Sequence, residues 1–211
     1  MSRITDLRSG KRREKRINIF LDGRFAFSLG AEVVAKENLQ VGQELSEKQV
    51  ALLAGNDQLQ RCLEAAYRYL GYRPRSESEI RERMQRRGFA AETIDAAIAR
   101  LREQGLLDDE AFAQFWKENR ESFRPRSQWL TRLELKRMGV RNDVIEQVVA
   151  GMDDEGNAYR AARQKMRHGT PADYQDFRRR LGDYLRRRGF SYEVIGHTVG
   201  KIWQELGNSS G

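Results

Sequence analysis

The spacing of apolar residues changes period along the chain. Over residues 17–29 they alternate, with Ile17, Ile19 and Leu21 on one face before Asp22-Gly23 and Phe25, Phe27 and Leu29 on the same face after it. Asp-Gly between alternating runs predicts a β-hairpin, because a type I′ turn needs positive φ at both central residues. Val33 to Glu37 and Ser46 to Leu53 then read as short helices, with Ser46 as an N-cap and Gly42 in the connection. From Asp57 onward the spacing is helical, as in Leu63, Ala66, Tyr67 and Leu70.

Within this helical region one pattern recurs. Arg73-Pro74-Arg75-Ser76 returns as Arg124-Pro125-Arg126-Ser127, and the same shift superposes Arg81 on Arg132, Arg86 on Arg137, Gly88 on Gly139, Ile94 on Ile145, Ala99 on Ala150 and Gly105 on Gly156. Those ten identities over residues 73–105 exceed the roughly two that composition alone would supply. A third copy follows, in which Arg187-Arg188-Gly189-Phe190 mirrors Arg86-Arg87-Gly88-Phe89 and Ile195 takes the place of Ile94 and Ile145.

Met84, Leu135 and Leu185 each lie four residues before the shared glycine, one helical turn back. The glycines therefore read as helix stops in the left-handed conformation, with Phe89, Val140 or Phe190 folding back as the apolar contact of a Schellman cap. A further helix follows each one, carrying Ile94, Ile98 and Leu101, then Ile145, Val149 and Met152, then Ile195, Val199 and Ile202. Ser76 with Glu79 forms a capping-box pattern, and each proline sits just ahead of a helix.

Each copy thus reads as a leading helix (57–71, 108–121 or 153–168), a central helix and a closing helix. The expected fold is mainly α: a tandem array of three three-helix repeats, elongated or curved, preceded by a small N-terminal β-hairpin with short helices. The expected divisions are a basic tail over 1–16, the hairpin and short helices over 17–56, repeats over 57–106, 107–152 and 153–207, and a C-terminal tail over 208–211.

Composition agrees with helices whose outer faces are solvated, since 33% of the 211 residues are charged and 39% hydrophobic. Thirty-nine Lys and Arg against 31 Asp and Glu point to an anionic partner such as nucleic acid. The single cysteine, Cys62, falls in a helical apolar pattern, reads as a small buried hydrophobe and fits a reducing, cytoplasmic setting. The N-terminus has no apolar signal core and no stretch is long enough to span a membrane.

No catalytic centre stands out. Asp108-Asp109-Glu110 and Asp153-Asp154-Glu155 open helices, where carboxylates cap free N–H groups, so capping is preferred to a metal site. His168 and His197 stand at no zinc-ligand spacing, and glycine-rich phosphate loops and nucleophile elbows are absent. No metal, cofactor or enzymatic activity is expected. The basic residues are the better lead: Lys11-Arg12-Arg13 in the tail, and Arg73, Arg75, Arg86, Arg87, Arg124, Arg126, Arg178, Arg179, Arg186, Arg187 and Arg188 at related places in the copies, with Arg180 beside them, read as a basic stripe. Most aromatics, including Phe112, Phe115, Trp116, Phe177 and Trp203, have core spacing, whereas Trp129 and Tyr72 are placed to stack on a partner.

In combination, the hairpin with Asp22-Gly23, Tyr69-Leu70-Gly71-Tyr72-Arg73-Pro74-Arg75-Ser76, Gly105-Leu106-Leu107-Asp108-Asp109 and Tyr184-Leu185-Arg186-Arg187-Arg188-Gly189-Phe190-Ser191-Tyr192 resemble the RecX family, bacterial regulators of the RecA recombinase. The resemblance runs over nearly the whole chain in order. It implies three tandem three-helix repeats, no enzymatic activity, and binding to the RecA filament on DNA, usually inhibiting strand exchange and ATP hydrolysis; the protein is expected to be a monomer that lies in the filament groove and meets single-stranded DNA directly or through the filament. Met138, where the other copies have a basic residue, makes the second copy less basic there. Two other readings fit the residues: a free-standing DNA-binding protein with helix-turn-helix-like units, and an interaction scaffold whose charge serves solubility.

Overall fold

The computed structural model describes residues 1–10, 16–166 and 173–208. The chain forms two compact units, one of residues 1–73 and 80–106, the other of residues 74–79 and 107–211. No helix among the described residues is long and apolar enough to cross a membrane.

The first unit opens with an antiparallel sheet of four strands, β1 (Ser2–Ser9), β2 (Arg16–Leu21), β3 (Arg24–Gly30) and β4 (Glu44–Leu45), in the order β3-β2-β1-β4. The hairpin turn is as expected: Asp22 and Gly23 have φ of 50° and 80°. The stretch expected as a basic tail is instead largely β1, whose Ile4 is fully buried beside Ile19, Leu29 and Leu45. Lys11, Arg12 and Arg13 lie outside the described residues.

The register departs from simple alternation at one place. Ile19 pairs with Phe27 but Phe20 pairs with Phe25, so Ala26 is the extra residue of a β-bulge. A bulge reverses which face the following side chains take. Phe27 packs on the core with Leu29, whereas Phe25 is 59% exposed and stands on the face of Phe20, not that of Leu21.

After α1 (Ala31–Lys36), the two helices expected over 46–53 and from 57 form one helix, α2 (Glu47–Leu70). Ser46 caps it in a reciprocal capping box with Gln49. Gly55-Asn56-Asp57 does not break it, and the buried Asp57 carboxylate is taken by the Arg16 guanidinium of β2. Burial raises the Asp57 carboxyl pKa, and the hydrogen bond and charge of Arg16 oppose that rise. Cys62 on the same helix is fully buried, and burial pushes its thiol pKa up, away from reactivity.

The repeated helices are α3 (Glu77–Gln85) and α4 (Ala91–Glu103), α5 (Asp109–Phe123), α6 (Gln128–Arg137) and α7 (Asn142–Val149), and α8 (Asp154–Met166), α9 (Tyr174–Arg186) and α10 (Tyr192–Asn208). The shared glycines end helices as expected, Gly88, Gly139 and Gly189 having φ of 82°, 76° and 86°. The N–H groups of Phe89, Val140 and Phe190 donate back to the carbonyls of Met84, Leu135 and Leu185, the Schellman bond three times over. Those three acceptor residues are buried, as are Ile94, Ile145 and Ile195 in the closing helices. Met152 departs from the expected pattern: α7 ends at Val149, and Met152 only borders the core from beyond the helix.

Candidate functional site

The Arg-Pro-Arg-Ser segment of the second copy meets the helix-ending glycine of the third. Ser127 is the N-cap of α6, its hydroxyl accepting from the Leu130 N–H at 3.1 Å, while its own N–H donates to the Arg188 carbonyl at 3.1 Å. The Arg188 guanidinium in turn donates to the Pro125 carbonyl at 3.0 Å and lies 4.5 Å over the Tyr184 ring. Pro125 and Ser127 are buried. A Cβ on Gly189 would stand 2.6 Å from the Ser127 hydroxyl and 2.7 Å from Leu130 Cβ, so glycine there serves the close approach as well as the turn.

The preceding Arg-Pro-Arg-Ser is used in the same way. Ser76 forms its capping box with Glu79, donates its hydroxyl to the Met138 carbonyl at 2.5 Å, and a Cβ on Gly139 would collide with Ser78. The repeated motif is therefore a landing loop: proline fixes the entry, serine caps the helix that follows and bonds the carbonyl before the next copy's glycine.

Around the second loop the structure gathers positive charge. Arg120 from α5, Arg124 and Arg126 from the loop and Arg188 from the end of α9 share one neighbourhood, and Glu134 on α6 pairs with Arg120 and Arg126 within it. Glu134 accepts from Arg120 Nε at 2.8 Å and from Trp116 Nε1 at 2.8 Å, and it pairs with Arg126. The Arg120 guanidinium also covers the Trp116 ring at 4.1 Å. Burial, and then the charges of Arg120, Arg188 and Arg124, lower the Arg126 pKa. The guanidinium remains charged at any physiological pH, so the cluster keeps an excess of cation over carboxylate. Beside it stand two exposed aromatics, Phe123 at 71% and Trp129 at 59%. Such a surface can receive an anionic group on guanidinium donors and a planar or apolar group on the rings.

Arg124, Arg126, Arg188 and Trp129, expected from the sequence, are thus brought together. Arg120, Glu134 and Phe123 were missed; Glu134 carried a legible signal only as an unusual acid among basic helix residues. The other candidates do not join this cluster. Arg75 pairs with Glu79 at 3.3 Å, while Arg73, Arg86 and Arg87 belong to the first unit, with Arg86, just past the end of α3, paired to Glu82 on that helix. On α9, Arg179 and Arg180 both hold Asp176, Arg186 holds Asp183 and Arg178 is exposed, as is Arg187 at the helix C-cap. Part of the expected stripe is therefore neutralised within its own helix. Tyr72 is 85% exposed.

The third copy also differs in how its helices are tied. Arg81 binds Asp95 at 2.6 Å in the first copy and Arg132 binds Glu146 at 2.7 Å in the second. The equivalent positions of the third are Gly182 and Gly196, which line an open groove with Tyr174, Tyr192, Arg178 and Arg186.

The acidic clusters act as caps. Asp108 accepts from the Glu110 and Ala111 N–H groups at 2.8 and 3.0 Å, and Asp153 from the Gly156 N–H at 2.9 Å. Among the described residues no group of His, Cys, Asp and Glu is arranged to hold a metal ion. His168 lies outside them, and His197 stands 3.5 Å from Glu155.

Comparison with known proteins matches these features to one family. The model "Regulatory protein RecX N-terminal domain" covers residues 2–46, "RecX, first three-helix domain" covers 62–101 and "RecX, third three-helix domain" covers 153–198. The regulatory protein RecX of Clostridium botulinum (strain Alaska E43 / Type E3) is 31% identical over 204 residues, covering 94% of this chain and 95% of that protein. That of Clostridium beijerinckii is 27% identical over 207 residues, covering 96% of each. A crystal structure of regulatory protein RecX superposes with a TM-score of 0.62 at 25% identity over 94% of this chain and 98% of that one. RecX from Lactobacillus salivarius, at 18% identity and a TM-score of 0.56, shares the fold. With its N-terminal domain and its first and third three-helix copies matched, and 31% identity to a relative over nearly its full length, the chain belongs to the RecX family of regulatory proteins.

Proposed function

We propose that this protein regulates recombination by binding the RecA filament on single-stranded DNA as a monomer, and that it restrains the filament's ATP hydrolysis and strand exchange without catalysing a reaction itself. The observation that carries this reading is the cluster of Arg120, Arg124, Arg126 and Arg188 beside exposed Trp129 and Phe123, a surface suited to an anionic partner. The rigid landing of Ser127 on Arg188 supports it, because a preorganised cationic site loses little conformational entropy on binding. In this reading the three repeats divide as 57–106, 107–152 and 153–207, and the stretch 1–16 belongs with the N-terminal sheet.

The test is capture of the full chain by recombinase filaments assembled on single-stranded DNA with a non-hydrolysable nucleotide. Enrichment on assembled filament above that on unassembled recombinase supports the regulator reading; equal or absent capture rejects it. A free-standing DNA-binding protein is the second reading, favoured by the same arginines. It predicts a steep salt dependence of DNA binding without recombinase.

A further inference from the structure

We propose that the solvent face of the N-terminal sheet is a stacking platform for single-stranded nucleic acid, with Phe25, Phe20 and Arg8 receiving bases and backbone. The face is built by two irregularities at one level of the sheet. In β3 the bulge at Ala26 places Phe25 opposite Phe20, and in β1 a second register shift between Ile4 and Asp6 brings Asp6 opposite Phe20. Bulges of this kind re-aim side chains, and here they turn an aromatic from the core side to solvent.

The two rings meet edge to face at 5.9 Å, so Phe20 braces Phe25 while the latter remains 59% exposed. Arg8 lies 4.8 Å over the other ring, Phe20, and its exposed guanidinium is oriented by Asp6 at 2.5 Å. Asn18, which pairs with Arg8 across the strands, and Ser28, bonded to Asn18 at 2.6 Å, continue the face as polar groups. The opposite face is the core of Ile4, Ile19 and Leu29.

Phe25 does not stand alone on the surface: with Phe20 and Arg8 it forms one contiguous aromatic and cationic patch, and its surroundings indicate the occupant. The first thirty residues carry eight Lys and Arg against three Asp and Glu, and although four of those cations lie outside the described residues and Arg16 is held by Asp57, the excess favours an anionic occupant. The exposed ring of Phe25, with the Arg8 guanidinium over the neighbouring Phe20, suits an unpaired base with its phosphate, since every base offers a π-face and a duplex hides it. The inference does not require the filament: naked oligonucleotide is the probe.

The experiment measures binding of the full chain to a fluorescent oligo(dT) of about 15 nucleotides, within the span of single-strand sites, and to a duplex of equal length. Phe25→Ala is expected to weaken single-strand binding about tenfold, the scale of one lost stacking contact, with duplex binding and melting unchanged. Phe25→Trp should retain affinity, and its added emission should be quenched by the oligonucleotide. Leu52→Ala, which removes a residue of similar exposure (64%) on α2, should change nothing. Wild-type affinity in Phe25→Ala, an equal loss on duplex, or a loss confined to filament capture would each overturn the platform. Because capture by filaments is scored separately, oligonucleotide binding through Phe25 without capture would sink the filament reading and leave this one standing.

Discussion

The backbone N–H of Ser127 donates to the carbonyl of Arg188 at 3.1 Å, so the loop ahead of one repeat's central helix is bonded to the helix end of the next. The glycine after that carbonyl is therefore constrained twice, by its φ of 86° and by the Ser127 and Leu130 atoms above it. Gly88 has a similar φ of 82° but open space where a Cβ would go. Gly88→Ala should cost about 1–2 kcal/mol from the left-handed conformation alone, and Gly189→Ala about 2–4 kcal/mol once overpacking is added. Denaturant unfolding of the two variants checks this; equal losses would show that the landing loop yields without strain.

Glu134 holds Arg120, Arg126 and the Trp116 indole together. In Glu134→Gln the guanidinium groups keep their mutual repulsion and lose their carboxylate, so the protein should lose about 1–3 kcal/mol of stability. Added sulfate should restore part of that loss, since an anion bound to the native state stabilises it by mass action. Thermal melts with and without sulfate, set against wild type, read both effects.

The Arg132 hydrogen bond holds the Glu146 carboxyl pKa below the ordinary glutamate value. A carboxylate with a lowered folded-state pKa adds stability that is present above its unfolded value and lost as pH falls through the folded one. Arg132→Gln should therefore move the Glu146 titration upward toward the ordinary value, as followed by carboxyl NMR. An unchanged titration would mean the pair does not persist in solution.

What the sequence made legible was local. Gly88, Gly139 and Gly189 announced helix ends because the cap needs only a few neighbouring residues, and Asp22-Gly23 announced its turn for the same reason. The long α2 was not legible, since Gly55-Asn56-Asp57 looks like a break, and the Arg16 that takes the Asp57 carboxylate lies far away in β2. Phe25 misled because one extra residue in a strand reverses every later assignment to a face, and alternation alone does not reveal a bulge. The arginine cluster was half legible: the repeated Arg-Pro-Arg-Ser marked Arg124 and Arg126, but their meeting with Arg188 depends on how one copy lands on the next.

The Arg124 side chain is exposed, and Trp129 is 59% exposed with one ring edge near Gly189, so neither contributes to the buried core. Removing charge or ring there isolates binding from folding.

The most direct measurement is the affinity of wild type, Arg124→Glu and Trp129→Ala for recombinase filaments on labelled single-stranded DNA, with melting temperatures recorded alongside. Filament binding by the wild type, weakened at least about tenfold in Arg124→Glu by loss of a charge-assisted contact and reduced in Trp129→Ala at unchanged melting temperature, is the predicted result. Equal affinity of all three proteins would contradict the assignment of the arginine cluster as the surface that meets the filament.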